Sequence, residues 1–293
     1  MSARHLALIV FLAAIWGGAF TLIRNAVPAL GPLGLSAVRL ALAAIVMLTY
    51  LKAVGLRVRW RRDWKPIAVV GCFGAALPFP LFAYGATQWP AGPLAVINAT
   101  VPLWGAVIAR LWLGDRVAPS SALGLALGIG GVVLLTGAGS AVIPPAGLGA
   151  LAAALAASLC FAVAGVATKA LGANVPAASL GTGVLIIGTA FNVPLTLLDP
   201  PRAITAFALA NAALLALLAS ALATVLYLRL IQQIGPTRSM TVTFLIPVWG
   251  IFWSAWLLDE PVTTTMIAAC GLVLLGTALV LYGQRRAVAV AKT

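Results

Sequence analysis

Three cationic residues inside the apolar segments of this chain are candidates for a functional role: Arg24, Arg39 and Lys169. An ionised side chain in such a segment is costly unless it has a partner or a role, so these residues are candidates for binding an anionic group. Arg39 lies deepest in its segment, and we expect it either to attract a ligand carboxylate or to bind backbone carbonyls. Arg24 and Lys169 lie nearer to segment ends, where a long side chain can also reach the polar surface.

Proline interrupts two apolar segments near their middle, at Pro102 and Pro247. A proline inside a helix removes one hydrogen bond and displaces the carbonyl four residues earlier, here those of Asn98 and Thr243. The outcome is either a kink repaired by neighbouring helices or a polar opening in which Asn98 and Thr243 accept a hydrogen bond from a ligand ammonium. Pro78 is a third candidate for a helix break or gating position.

Aromatic side chains are distributed over the same segments. Inside a helical bundle they serve more often as packing than as binding groups. Taken together they predict a cavity suited to flat or bulky apolar groups, with cation–π contact available to an amino group. The candidates for this wall are Trp16, Tyr84, Trp104, Tyr227, Trp249 and Trp253.

The scarcity of His, Cys and acidic residues within the apolar segments limits the functions that the chain can have. The only His is His5, and Cys72, Cys160 and Cys270 stand singly without metal-ligand spacing, so we predict no metal, no cofactor and packing roles for the cysteines. An intramembrane serine protease would need a His base within a segment, so the chain is not expected to be an enzyme. None of the five acidic residues falls in the middle of an apolar segment: Asp63, Asp115, Asp199, Asp259 and Glu260. Proton-coupled pumps commonly carry protons on such groups, so facilitated diffusion or exchange is favoured.

The chain is 63% hydrophobic and 8% charged, with a mean hydropathy of +1.12. These values predict an all-α integral membrane protein, because about 20 apolar residues form one membrane-spanning helix. We predict ten spans, near 6–26, 33–52, 66–88, 93–113, 120–137, 147–171, 177–198, 205–230, 236–258 and 262–283.

Positive charge decides the predicted orientation. Loop 51–65 carries six Lys and Arg residues, which places it and, by parity, both termini in the cytoplasm. The five connections thereby placed outside contain only Arg202 among their Lys and Arg positions. The net charge of +13 therefore reflects topology in a multi-pass inner-membrane protein rather than nucleic-acid binding.

Two segments of the chain repeat one pattern: "TVPLWGAVIARLWLGDRV" from Thr100 and "LIPVWGIFWSAWLLDEPV" from Leu245. Their Pro, Trp, Gly and acidic positions keep an offset of 145 residues. Five predicted spans separate the copies, so the second crosses the membrane in the opposite direction. We predict a 5+5 inverted-topology repeat of residues 1–140 and 146–293. This architecture is typical of secondary transporters with a midplane site between the halves, although a scaffold bundle is the alternative.

These segments resemble the drug/metabolite transporter superfamily, and in particular its EamA-type exporters. Further similar pieces are "IWGGAF" in span 1, "AVRLALAAIVML" in span 2 and "LGIGGVVLL" in span 5. The first half has Asp115 where the family pattern usually shows Glu, whereas the second half keeps Glu260. The offset changes to 143 at Tyr84/Tyr227 and at Pro93/Pro236.

The resemblance implies a transporter that exports or facilitates movement of amino acids and related small metabolites by alternating access. The aromatic residues favour substrates with aromatic or bulky apolar side chains. The alternative is an exporter of drugs or other metabolites, including one coupled to protons. The expected partners are a small-molecule substrate and the lipid bilayer, with no nucleic acid. Small residues such as Gly124 and Gly128 in span 5 permit close helix contact, either within a monomer or in a weak homodimer.

Overall fold

The structure is a computed structural model that describes residues 2–114, 119–137, 145–234, 239 and 241–290. The described residues form helices and no strands, as expected where hydrocarbon leaves no water to bind backbone groups. Asp115 and Pro236 lie outside the described residues. The helices are Ala3–Ala53, Trp60–Gly71, Pro78–Gln88, Ala91–Asn98, Val101–Leu113, Pro119–Gly137, Pro145–Leu171, Ala177–Leu195, Ala206–Leu214, Ala223–Ile234, Thr241–Leu258 and Thr264–Val290, with π-helical segments at Cys72–Ala76 and Leu215–Leu222.

The described parts of the ten predicted spans are helical, and the first two spans share one helical run. Among the described residues nine helices are long and apolar enough to span, and the first of them, Ala3–Ala53, has 51 residues. Gly31 interrupts that run with φ +68° and ψ 167°, a conformation that L side chains rarely adopt. Pro32 follows at the start of the next helix, where its missing N–H is harmless. Gly31 therefore separates span 1 from span 2. The described fold is that of an all-α membrane protein with the predicted helical repeat.

Backbone and side-chain hydrogen bonds join connections that the charge pattern places on the same side. The backbone N–H groups of Arg202 and Ala203 each donate to the carbonyl of Ala29 at 3.0 Å. In a second pair of segments, the indole of Trp89 donates to the carbonyl of Gly147 at 2.8 Å. These bonds join the connection between spans 1 and 2 to that between 7 and 8, and the connection between 3 and 4 to the start of span 6. The grouping agrees with the predicted parity of the spans.

Spans 5 and 10 pack closely against each other through glycine. A Cβ on Gly124 would collide with the carbonyl oxygen of Gly276, and one on Gly131 would lie 2.9 Å from the carbonyl of Ala269. Thr277 in span 10 also donates to the carbonyl of Ala99 at 3.1 Å. The small residues of span 5 thus serve a contact within the chain, because they allow two backbones to approach directly.

Span 1 runs through the main core and packs on span 9. A Cβ on Gly17 would lie 2.7 Å from both the backbone nitrogen of Gly250 and the Cβ of Trp249. Nearby, the indole of Trp253 donates to the carbonyl of Ala14 at 3.0 Å. The buried core around this contact draws residues from spans 1, 2, 3, 4, 6, 8 and 9. Residues of those spans and of span 7 also line a cavity.

Candidate functional site

A cavity of about 380 Å³ lies at the centre of the bundle. Residues from eight of the ten spans form its wall, and only spans 5 and 10 take no part. Most of the wall is apolar or aromatic, which is usual for sites that bind small molecules. Its polar and aromatic members are Trp16, Phe20, Arg39, Phe79, Phe82, Asn98, Phe161, Ser220, Thr224 and Thr243.

Arg39 is the one charged residue among the described residues of this wall. Its Nε donates to the hydroxyl oxygen of Ser220 at 3.0 Å. The guanidinium carbon lies 4.3 Å from the centroid of the Phe79 ring, within the range of a cation–π contact. Ser220 and Phe79 thus hold the guanidinium in one orientation at the cavity surface.

Four phenylalanines form a connected aromatic surface on the cavity wall. The rings of Phe20 and Phe82 meet edge to face with centroids 5.5 Å apart. Phe82 stacks on Phe161 at 6.0 Å, and Phe161 meets Phe79 at 6.1 Å. Such ring arrangements are favourable and rigid, so the surface is preorganised for a flat or bulky apolar group.

Two π-helical segments lie at equivalent positions of the two halves. Leu215 begins the second segment 143 residues after Cys72 begins the first, the offset that also relates Tyr84 to Tyr227. Both segments contribute to the cavity wall. Because a π-helical turn shifts the backbone hydrogen-bond pattern, such segments occur often at functional sites.

Side chains bind the carbonyls of two equivalent alanines in these segments. The amide nitrogen of Asn192 donates to the carbonyl of Ala76 at 3.0 Å. The indole of Trp16 donates to the carbonyl of Ala219, also at 3.0 Å. Ala219 lies 143 residues after Ala76 and is therefore its equivalent in the second half. The halves therefore stabilise the same backbone feature with different donors.

The helix of span 4 breaks beside the cavity. One helix ends at Asn98 and the next begins at Val101, with Pro102 in its first turn. Thr100 and Ser158 donate to the carbonyl of Ile97 at 2.6 and 3.2 Å. The Asn98 side chain forms no hydrogen bond with any described residue, so its amide is available to a ligand.

The other two predicted proline positions differ from a simple break. Pro78 begins an α-helix directly after the first π-helical segment and Leu77. Pro247 is buried inside the continuous helix Thr241–Leu258. Pro247 removes one hydrogen bond of the ladder, and the helix continues on both sides of it.

The cavity wall includes four of the predicted binding residues: Trp16, Arg39, Asn98 and Thr243. The structure brings these together from spans 1, 2, 4 and 9. It also adds Phe20, Phe79, Phe82, Phe161 and Ser220, which the sequence reasoning missed. The repeat could have identified Phe161, because it lies 145 residues after Trp16 and is its equivalent in the second half. Both aromatic residues line the cavity.

Six other predicted residues are not part of this wall. Tyr84 is 42% exposed and Lys169 is exposed, whereas Tyr227 meets the ring of Trp16 edge to face at 5.2 Å. Trp249 stacks on Trp253 at 5.8 Å. The indole nitrogen of Trp104 is buried and has no hydrogen-bond partner among the described residues. Their binding roles stay predictions.

A second cavity of about 280 Å³ lies beside Glu260, Pro90 and Pro93. The carboxylate of Glu260 is already bound by the backbone N–H groups of Ala91 and Gly92 and by the hydroxyl of Ser254. No cluster of three metal-binding side chains occurs within the part of the chain that the structure describes. The central cavity is therefore the candidate site.

A family model describes the chain twice over. The EamA-like transporter family matches residues 4–137 and again residues 148–282. The chain belongs to the EamA-like transporter family. It is accordingly a multi-pass membrane protein of the drug/metabolite transporter superfamily, whose partners are a small-molecule substrate and the lipid bilayer.

Individual relatives of this EamA-like transporter span almost its whole length. It is 27% identical to a "Probable terminal-alkyne amino-acid exporter" of Streptantibioticus cattleyicolor, over 92% of this chain and 90% of that protein. It is 26% identical to the "Uncharacterized transporter YvbV" of Bacillus subtilis, over 95% and 91%. It is 24% identical to the "Uncharacterized inner membrane transporter YedA" of Escherichia coli, over 92% and 88%.

A solved crystal structure shares the fold of this EamA-like transporter. The two superpose with a TM-score of 0.69 at 18% sequence identity. The likeness covers 96% of this chain and 99% of the other.

Proposed function

We propose that this EamA-like transporter moves amino acids and related small metabolites with aromatic or other bulky apolar side chains. The observation that carries the proposal is the aromatic cavity of about 380 Å³ that is lined by spans of both halves. That volume lies within the range of about 300–1,000 Å³ usual for small-molecule sites. The name of the Streptantibioticus relative, an amino-acid exporter, supports the same substrate class.

Alternating access is the mechanism we propose, with residues 1–140 and 146–293 as inverted halves. The two separate family matches and the equivalent π-helical segments support this division. The halves also differ in conformation at equivalent sites. A Cβ on Gly250 would collide with Ala95, whereas one on Gly105, its counterpart in span 4, meets open space. Exchange of the two conformations would expose the cavity to the other side.

Transport without proton coupling fits the described wall, which holds Arg39 but no carboxylate or His. A chain that works as a carrier rather than an enzyme also fits this wall, because no nucleophile there has a His base. We further propose that both termini are cytoplasmic and that one chain can form the path, since spans of both halves line the cavity.

Counterflow in proteoliposomes tests the proposal. Vesicles preloaded with unlabelled phenylalanine should accumulate labelled phenylalanine or tryptophan without an ion gradient, and a sugar phosphate should give no accumulation. Absence of counterflow for every amino acid would contradict the substrate class. Accumulation that requires an imposed pH gradient would contradict uncoupled transport and favour the proton-coupled alternative.

Two glycine variants provide a matched control for the site of transport. Gly181 lies in the cavity wall, and Gly165 has open space around its Cβ position. Gly181→Leu should narrow the cavity and reduce counterflow, while Gly165→Leu should leave it unchanged. Equal activity of both variants would indicate that the substrate takes another route.

A further inference from the structure

Arg39 is a cation without a protein counter-ion in the described structure. Four acidic residues are described, and each lies elsewhere. Asp63 forms an ion pair with Arg62 at 3.6 Å. Asp199 lies beside Gly31, Glu260 binds Ala91, and Asp259 is exposed.

The bonds that Arg39 does form leave part of the guanidinium unused. Nε binds Ser220, and the Phe79 ring covers one face. The two terminal nitrogens have no hydrogen-bond acceptor among the described residues. A guanidinium presents parallel N–H groups that match the two oxygens of a carboxylate. Because an unpaired charge inside a span is costly, the position of Arg39 in the cavity wall favours an anionic ligand.

The wall lacks a comparable partner for a ligand ammonium. Its described polar groups are neutral, namely those of Asn98, Ser220, Thr224 and Thr243. A zwitterion would therefore gain a charge-assisted bond at its carboxylate but only neutral or aromatic contacts at its amino group. The aromatic surface would accept the remaining apolar part in either case.

We propose that Arg39 and Ser220 form a carboxylate subsite, and that the transporter also carries aromatic monocarboxylates that have no amino group. This inference rests on the proposed function, since it assigns the recognition groups of the same cavity. The carboxylate binds the free nitrogens of Arg39, and Ser220 positions the guanidinium. The apolar end of the substrate lies against Phe79, Phe82 and Phe161.

A ligand series that shares one phenyl group tests the subsite on the wild-type protein. Phenylalanine, phenylpropionate, phenylalaninamide and phenethylamine are compared as competitors of labelled phenylalanine counterflow and as ligands of purified transporter by calorimetry. Phenylpropionate should bind like phenylalanine, whereas the amide and the amine should bind at least about tenfold more weakly. Equal binding of the amine, with loss of binding for phenylpropionate, would overturn the proposal. Protein-free vesicles control for passive permeation of the acid.

Variants separate recognition from folding. Arg39→Gln should weaken phenylpropionate at least about tenfold and abolish the preference over the amide, with partial recovery in Arg39→Lys. Ser220→Ala should weaken the acid less, and it replaces Arg39→Gln as the deciding variant if the latter does not fold. Arg24→Gln is the matched control, because Arg24 donates to the carbonyl of Ala86 outside the cavity wall.

The outcomes distinguish the two proposals. Phenylalanine transport that is unchanged in Arg39→Gln, with the same preference for acid over amide, would overturn the subsite and leave the amino-acid function standing. If the wild type moves no amino acid but binds phenylpropionate through Arg39, the proposed function fails and the subsite is upheld.

Discussion

The carboxylate oxygens of Glu260 lie 3.1 and 2.9 Å from the backbone nitrogen of Ala91, 169 residues earlier in the chain. The same carboxylate accepts from Gly92 and from the hydroxyl of Ser254. Glu260 thereby caps the helix Ala91–Asn98 and joins the connection between spans 9 and 10 to the start of span 4. A negative charge at a helix N-terminus is stabilising.

Replacing Glu260 should therefore destabilise the described conformation. We expect Glu260→Ala to lower the free energy of unfolding by about 1–2 kcal/mol, because several N–H groups lose their acceptor. Thermal unfolding in detergent measures the effect. Asp259→Asn is the neighbouring control, since Asp259 is exposed and Asn tolerates its φ of +52°. Equal stability of both variants would show that the cap contributes nothing.

The equivalent glycines Gly250 and Gly105 should respond differently to alanine. Gly250→Ala places a Cβ against Ala95, so we expect a loss of about 1–3 kcal/mol in stability. Gly105→Ala meets open space and should unfold at the wild-type temperature or above. If the halves exchange conformations, however, Gly105 takes the crowded position, and Gly105→Ala should slow counterflow. Unchanged transport in that variant would argue against exchange between the halves.

Two tryptophans with similar hydrogen bonds allow an effect on substrate binding to be distinguished from an effect on stability. Trp16 and Trp253 each donate to a backbone carbonyl at 3.0 Å, but only Trp16 lies in the cavity wall. Phenylalanine at either position should reduce stability by about 1 kcal/mol, since one hydrogen bond is lost. We expect only Trp16→Phe to raise the KM for transport, and equal KM values would remove Trp16 from the site.

The ring of Phe161 should contribute directly to substrate affinity. It contacts both Phe79 and Phe82, and its removal would open the aromatic surface. Phe161→Ala should raise the KM for phenylalanine about tenfold, because a stacking partner and buried apolar area are lost. Phe207→Ala, at a position 63% exposed, should leave KM unchanged. A KM in Phe161→Ala equal to that of the wild type would place the substrate elsewhere.

Arg39 shows how far the sequence could predict the site. Its type and its depth in an apolar segment marked it as a candidate, but the alternatives of ligand and backbone carbonyl stayed open. The hydrogen bond to Ser220 joins residues that are 181 positions apart, and no local sequence pattern predicts it. The phenylalanines of the wall were missed for a related reason, because phenylalanine suits a lipid-facing or a core position equally well in an apolar helix.

The amino-acid sequence by itself determined the helical membrane class, the number of spans and the twofold repetition of the chain. Hydrocarbon leaves a spanning backbone few options, so apolar length and charge suffice for these features. Only the tertiary structure decided that span 4 breaks beside the cavity while the helix around Pro247 continues, and that Gly250 is crowded while Gly105 is not. When a span is apolar on every side, its sequence does not show which face contacts a neighbouring helix. That face is determined by side-chain packing between spans that are distant in the sequence.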